Sequence, residues 1–458
     1  MSNSESGPWR STAHGLIINK TEAEIFLLRE NDGYFPPYVE MAGGKWENGA
    51  PKAQASLQSL LGAELNVLLR VDYREDLNKK RTESHFLLEM MEPVNLDGYW
   101  IGHRQLDNLE LKLNYQKPII EQVLKEMEDG KVPAKRPPWA RVGWHKEVSR
   151  WIEREMESNR DKLELPLEPV KNWSLSCVLR AESGNGSYCF KTSVILPLFV
   201  NEAKVVSGLG RVFPGHVPVT LAADFNQNWL LMADLGKPVG WGAPIEQRMG
   251  FLAQFGQLQR QSAGNLELLQ QIGCLDRRVG WLSSQIDKLI DSHEVEQAID
   301  AEEYRLLKET APQLKELCGR LLEFNIPHTI VHGDLHGDNV AHKNGKYIFF
   351  DWTDACISHP YFDMLDIYQE KDKSTRERLR DLYLSGWEEY EPPGRLRSAW
   401  MIGRVLSAVN QAISYHEILV NIEDHSRYEL DWGLPYWLRK TLDYNKSLRS
   451  KDAREKKV

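Results

Sequence analysis

The residues with the clearest capacity for chemistry lie between Val331 and Trp352. The run Val331-His332-Gly333-Asp334-Leu335-His336-Gly337-Asp338-Asn339 is followed, after a short turn, by Ile348-Phe349-Phe350-Asp351-Trp352. A carboxylate, a carboxamide five residues on, and a second carboxylate closing an apolar strand suit a magnesium–nucleotide site. In such a site Asp334 accepts a proton from a substrate hydroxyl, while Asn339 and Asp351 supply the hard oxygen ligands that Mg²⁺ prefers. Two plainer readings compete. His332 and His336 beside aspartates are zinc-ligand types, but Asn339 is a poor zinc ligand and no Cys or Glu completes the set. Gly333 and Gly337 would also suit a polar turn that caps a helix; the strand-like Tyr347 to Phe350 leading into Asp351 would then be coincidence.

The string resembles the catalytic loop of the aminoglycoside phosphotransferase and choline kinase group, relatives of the protein kinases that phosphorylate small molecules. The resemblance implies that Asp334 is the catalytic base, that Asn339 and Asp351 are metal ligands, and that His332 orients the loop. Asp351-Trp352-Thr353-Asp354-Ala355 and then His359-Pro360-Tyr361-Phe362-Asp363 are similar to the family's continuation, in which the later aspartate braces the loop. Protein kinases proper lack that continuation, and no Asp-Phe-Gly or activation-segment pattern follows Asp351, so a small-molecule acceptor is favoured over a protein.

Such a fold needs a nucleotide-binding lobe upstream. Trp173 to Arg180 and Tyr188 to Thr192 read as two strands around the turn Glu182-Ser183-Gly184-Asn185-Gly186-Ser187. A hairpin there is the place for a lysine on the ATP phosphates, which assigns Lys191, with Gly184 and Gly186 in the turn. The helix expected from Phe199 carries Glu202, placed to pair with Lys191. Trp229 to Gly236 reads as an apolar strand running into a turn, and it resembles the segment joining two lobes, whose backbone from Met232 to Asp234 contacts adenine.

The remaining chain sets limits. A length of 458 residues suggests two or three domains, and 41% hydrophobic with 27% charged residues describes a folded, soluble protein. No apolar run spans a bilayer and no signal peptide opens the chain, so a cytoplasmic location is expected. Five cysteines without close pairing read as reduced thiols. A net charge of −9 gives no electrostatic footprint for nucleic acid; the basic clusters at Lys131 to Lys146 and Arg439 to Lys457 read as a linker and a solvated terminus.

Residues 1–128 look like a separate α/β domain. Strand-like Leu16 to Ile18 and Ile25 to Leu28, a glycine-rich turn at Ala42 to Ala50, a helix from Pro51 to Leu61, a strand at Phe86 to Leu88 and a helix within Glu110 to Met127 resemble a Nudix domain. With Gly44 as the motif glycine, the positions for Glu, Arg, Glu, Glu and Glu hold Ala50, Gln58, Ser59, Gly62 and Ala63, while Glu47 and Glu64 fall out of register. Metal-assisted hydrolysis requires clustered carboxylates, so a Nudix-like domain without hydrolase activity is expected.

The whole then reads as an α+β chain: a Nudix-like domain (1–128), a proline-rich basic linker (129–145), a kinase-like small β-rich lobe (146–236), a large helical lobe (237–440) and a charged tail (441–458). Helices are expected at Trp144 to Glu157, Val295 to Phe324, Arg376 to Tyr390 and Arg395 to Val420, with Trp139 and Trp144 as packing anchors. Candidate acceptor-lining residues are Trp352, Asp354, Tyr361, Trp400, Arg404 and His416. The expected activity is ATP- and Mg²⁺-dependent phosphorylation of a small-molecule hydroxyl on an amino sugar, aminoglycoside, choline-like or related metabolite. The alternative is a non-catalytic, ligand-binding regulatory protein. Retention of Lys191, Asp334, Asn339 and Asp351 together argues against it.

Overall fold

In the computed structural model, residues 9–42 and 49–455 are described. Gly44 and Glu47, on which the Nudix comparison turned, lie outside the described residues. The chain divides into two compact units, 1–194 with 422–429, and 195–421 with 430–458. Among the described residues no helix is long and apolar enough to cross a membrane.

In the first unit, alternation of side chains along the strands builds a two-faced sheet. Arg10–Asn19 pairs parallel with Arg81–Met90 and antiparallel with Glu24–Glu30 and Tyr38–Ala42. Leu16 and Ile18 enter one apolar cluster with Ile120, Val123 and Leu124 of the helix Lys117–Asp129, whereas Ile17 enters another with Ala53 and Leu57 of the helix Ala50–Leu61. Successive residues of a strand point to opposite faces, so one helix covers each side. Gly62, at φ +63°, closes the helix Ala50–Leu61 in the left-handed conformation that glycine adopts freely.

Strand Leu65–Asp76, paired with Arg81–Met90, escaped the sequence reading because its second half, Val71 to Asp76, is mostly polar and only partly buried. The helix expected within Glu110 to Met127 is Lys117–Asp129, with Pro118 in its first turn. The expected linker is packed: Trp139 is 1% exposed and donates its indole N–H to the Trp173 carbonyl at 2.9 Å. Helix Trp144–Ser158 buries Trp144, Val148, Trp151, Ile152 and Met156. Both tryptophans meet Phe190 at 6.0 Å, on the antiparallel strands Leu163–Asn172, Ser176–Ser183 and Gly186–Ser193.

The second unit is mainly helical. Helix Glu202–Val212 starts where the Asn201 side chain accepts the Lys204 N–H at 2.9 Å. The hairpin Thr220–Asp224 with Trp229–Ala233 follows. Helices Ile245–Ser262, Val279–Ile290, Ala301–Leu321, Lys373–Ser385, Pro393–Asn421 and Gly433–Glu455 surround the short strands Thr329–Val331 and Cys356–Ser358 and the hairpin Val340–Lys343 with Lys346–Phe349. The single helix expected over 295–324 is broken: His293–Ala298 ends, and Asp300 caps a new helix through a reciprocal pair with Glu303. The expected charged tail is largely helix, with Thr441, Tyr444, Asn445 and Leu448 buried. Basic residues on its outer face masked that stripe.

Candidate active site

Strand Thr329–Val331 is fully buried, and it delivers His332 into the core of the second unit. The His332 ring joins two segments: Nε2 donates to the Phe350 carbonyl at 2.9 Å and Nδ1 accepts the Asp334 N–H at 3.4 Å. Burial lowers its pKa to about 4, so the ring is neutral and acts as a strut. Asp363 ties down the same turn by accepting the N–H groups of His332 at 2.9 Å and Gly333 at 2.8 Å, with Gln259 donating at 3.0 Å. The brace expected of the later aspartate is therefore present.

Beyond this anchor the loop opens. The Asp334 side chain is 55% exposed, and its Oδ2 lies 3.3 Å from His336 Nε2 and 3.2 Å from Asn339 Nδ2. Desolvation by the surrounding protein raises the Asp334 pKa, but the His336 hydrogen bond and charge outweigh it and hold the carboxyl below its ordinary range. His336 itself, lowered by desolvation, is raised overall by Asp334, Asp338 and Asp351. The Asn339 amide also donates to the Asp334 carbonyl at 2.9 Å, which leaves Oδ1 as a free-lying acceptor type.

The hairpin that follows returns the chain to the loop. Phe350 N–H donates to the Asn339 carbonyl at 3.0 Å, so Asp351 begins one residue from Asn339's backbone partner. Asp351 has φ +65°, a left-handed conformation uncommon for a side-chain-bearing residue and concentrated at functional turns. Its Oδ1 lies 3.0 Å from Thr353 Oγ1. Glu202, 3% exposed, accepts the Trp352 N–H at 3.0 Å and lies 3.1 Å from the Thr353 hydroxyl. It thereby fastens its helix to the turn after Asp351.

An amide oxygen and a carboxylate form an all-oxygen donor pair, which fits Mg²⁺ with water completing its shell. Among the described residues no group of three or more His, Cys, Asp or Glu is arranged to hold a metal, which leaves the zinc alternative without a ligand cluster.

Lys191, 6% exposed, stands on strand Gly186–Ser193 of the first unit, opposite Val178; Gly184 and Gly186 form the exposed turn of that hairpin, Gly186 at φ +137°. In the second unit Met232 pairs with Thr220, and the Asp234 carbonyl accepts the Lys343 ammonium at 2.9 Å. Trp352 is fully buried against His332 at 4.6 Å, and Tyr361 and Trp400 pack on each other at 5.4 Å, so all three are core residues. Arg404 lies over Tyr444 at 3.9 Å, and His416 sits between Glu294 and Glu417 at 3.7 and 3.6 Å. Asp354 presses its backbone and Cβ on Gly333.

The sequence reading missed three residues around the loop and weighed a fourth, His336, only as a zinc-ligand type. Gln411, on helix Pro393–Asn421, donates to the Gly333 carbonyl at 2.7 Å. Tyr415 is held protonated by burial and by the nearby charges of Asp334 and Asp354. Trp241 stacks on His336 at 4.4 Å and 16°. Trp241 carried one signal, an aromatic between two glycines in a loop.

Residues 196–397 match the sequence profile described as the phosphotransferase enzyme family. A comparison with curated proteins found no match. Similar solved structures include a choline/ethanolamine kinase family protein from Mesorhizobium loti, 16% identical, covering 67% of this chain and 98% of that chain with a TM-score of 0.47. Another is a choline kinase from Cryptosporidium parvum Iowa II, 15% identical, covering 67% and 97% with a TM-score of 0.48. A third is the GDP complex of wild-type aminoglycoside 2'-phosphotransferase-IIIa, 11% identical, covering 65% and 99% with a TM-score of 0.46. Residues 196–397, which hold the loop of Asp334 and Asn339 and the turn of Asp351, are thus a domain of the phosphotransferase enzyme family, and the chain is a phosphotransferase.

Proposed function

We propose that this chain transfers the γ-phosphoryl group of ATP, or of GTP, to a hydroxyl group of a small molecule such as an amino sugar, an aminoglycoside, a choline-like alcohol or a related metabolite. The observation that carries this reading is the solvent-open Asp334 carboxylate, kept ionised by His336 and set within hydrogen-bond reach of the Asn339 amide. Asp334 orients the acceptor hydroxyl and takes its proton as the phosphoryl group transfers in line. Asn339 and Asp351 would hold Mg²⁺, which neutralises phosphate charge when bound. His332 and Asp363 keep the loop in place. By the family resemblance we assign Lys191 as the phosphate-contacting cation, Glu202 as the acidic residue of the helix that follows, Gly184 and Gly186 to the nucleotide side, and the backbone of Met232 and Asp234 to adenine. Trp352, Asp354, Tyr361, Trp400 and Arg404 shape the acceptor side, the buried ones from behind.

For residues 1–128 we propose a Nudix-like domain that lacks hydrolase activity, because helix Ala50–Leu61 carries no acidic residue with which to hold a metal. Detectable Mg²⁺-dependent cleavage of a nucleoside diphosphate derivative, persisting in the Asp334→Asn chain, would refute this.

The test of the main reading is γ-labelled ATP turnover with Mg²⁺ against a library of amino sugars, aminoglycosides, amino alcohols and nucleosides. Asp334→Asn keeps the shape and removes the base, so transfer collapses while nucleotide binding survives. Transfer at the unaltered rate in that variant, or loss of nucleotide binding with the fold intact, contradicts the role.

A further inference from the structure

We infer that Trp241 and His336 form a brace that fixes the orientation of Asp334, which makes both of them positioning residues for phosphoryl transfer; the inference rests on Asp334 being the proton acceptor. The chain of contacts is short. His336 Nδ1 accepts the Asp338 N–H at 3.2 Å, and its Nε2 lies 3.3 Å from Asp334 Oδ2 and 3.2 Å from the Asn339 amide nitrogen. Only one rotation of the imidazole serves these partners. Its face is held by the Trp241 indole, 4.4 Å away and nearly parallel at 16°.

Trp241 is not a core residue that happens to touch the loop. It is 58% exposed, and the segment leading into it is latched to the loop by two backbone hydrogen bonds. Val239 N–H donates to the Val340 carbonyl at 2.7 Å, and Gly240 N–H to the Gly337 carbonyl at 2.9 Å. The approach is so close that a Cβ on Gly337 would stand 2.2 Å from the Gly240 carbonyl oxygen. Backbone pairing thus sets the indole, the indole sets the imidazole, and the imidazole takes Oδ2 of Asp334. With Asn339 also on Oδ2, the other carboxylate oxygen is directed to the acceptor hydroxyl. An aspartate that is otherwise exposed would sample several rotamers, and misplacement of a reacting group by about 1 Å costs on the order of 100-fold in rate.

The experiment uses the full chain with Mg²⁺-ATP and an acceptor from the library, and Trp241→Ala, Trp241→Phe, His336→Ala and Asp334→Asn are measured in parallel. Trp241→Ala and His336→Ala are expected to lower kcat about 10–100-fold with KM for ATP changed less than about twofold, and Trp241→Phe, which keeps a ring on the imidazole, to recover most of the rate. Unchanged kcat in both alanine variants, or a loss confined to KM for ATP, overturns the brace. A turnover-independent readout is the NMR position of the His336 ring protons, which the stacked indole displaces. Trp241→Ala moves them back toward the free-imidazole position, and no movement overturns the stack. If Asp334→Asn keeps full activity, the parent reading fails; if it is inactive while the Trp241 and His336 variants behave as wild type, only the brace fails.

Discussion

The Asp363 carboxylate receives the backbone N–H of Gly333 at 2.8 Å, across thirty residues of sequence and at a point where neither group meets solvent. Its second oxygen takes the N–H of His332 at 2.9 Å, so one side chain satisfies the backbone at the entrance to the loop of Asp334 and Asn339. Burial pushes the Asp363 carboxyl up to about 7, and the N–H donors from Gly333, His332 and Gln259 oppose that rise. An amide in its place would offer one acceptor oxygen and turn its NH₂ against the second N–H. Asp363→Asn is therefore expected to cost about 1–3 kcal/mol of stability, the penalty for an unsatisfied buried donor, and to lower kcat at least tenfold through displacement of Asp334. Denaturant unfolding and turnover measure the two effects; a variant with native stability and rate would show that the turn holds itself.

Gly333 gives a sharper steric test. It has φ +87°, and a Cβ there would fall 2.5 Å from the Asp354 Cβ and 2.7 Å from the Asp354 carbonyl oxygen. Backbone in that conformation and contacts that short cannot both be relieved by a side-chain rotation. Gly333→Ala is expected to lose about 1–3 kcal/mol and most activity. Retention of wild-type melting temperature and kcat would mean that the turn is softer than its geometry implies.

Acid stability follows from two buried imidazoles. His332 and His359 are shielded from water, and burial lowers their pKa values from 6.5 to about 4 and about 3. An unfolded chain takes up these protons near the ordinary histidine value, whereas the folded chain does so only near the lowered ones. Between those limits the unfolded state holds more protons, so stability that is full above pH 6.5 is lost as pH falls toward 4. Asp363 acts the other way over a similar window, because its folded carboxyl keeps a proton up to about 7, but one group opposes two. The melting temperature is expected to fall on acidification from neutral pH, less steeply in His332→Asn. A rise would show that Asp363 dominates.

How far the sequence disclosed this site depends on where its parts lie along the chain. His332, Asp334 and Asn339 touch one another within a single loop, and the hairpin that returns to Phe350 is short, so residue type and spacing were enough to group them. Gln411 contacts Gly333 from 78 residues away, on a helix whose buried face gives no local sign of which polar residue turns inward. The family resemblance names Trp352, Tyr361 and Trp400 as candidate acceptor-lining residues, with a core position equally open; all three are buried, as their volume and apolarity favour. Strand Leu65–Asp76 and helix Gly433–Glu455 were obscured for a related reason: each buries one part and presents charge on the rest, which weakens the periodic signal.

The basic segment before helix Trp144–Ser158 supplies the last prediction, because its charge is structural. Arg136 is 7% exposed, with Nη1 and Nη2 on the Glu126 carboxylate at 2.7 and 2.9 Å and Nε and Nη2 on the Glu423 carboxylate at 2.7 and 3.1 Å. Desolvation alone would lower its pKa, and the two glutamates overcome this and raise it. Removing the guanidinium strands two carboxylates together in a poorly hydrated place. Arg136→Ala is thus expected to destabilise the first unit by about 3–5 kcal/mol, as seen when one partner of a buried ion pair is deleted. Arg136→Lys restores the charge without the planar fork that meets both carboxylates, so it should recover only part of the loss. Chemical denaturation of the three proteins decides the matter: equal stability of wild type and Arg136→Ala would return the segment to the role of a solvated tether, whereas a graded loss through Lys to Ala identifies Arg136 as the clamp that fastens residues 422–429 to the helix Lys117–Asp129.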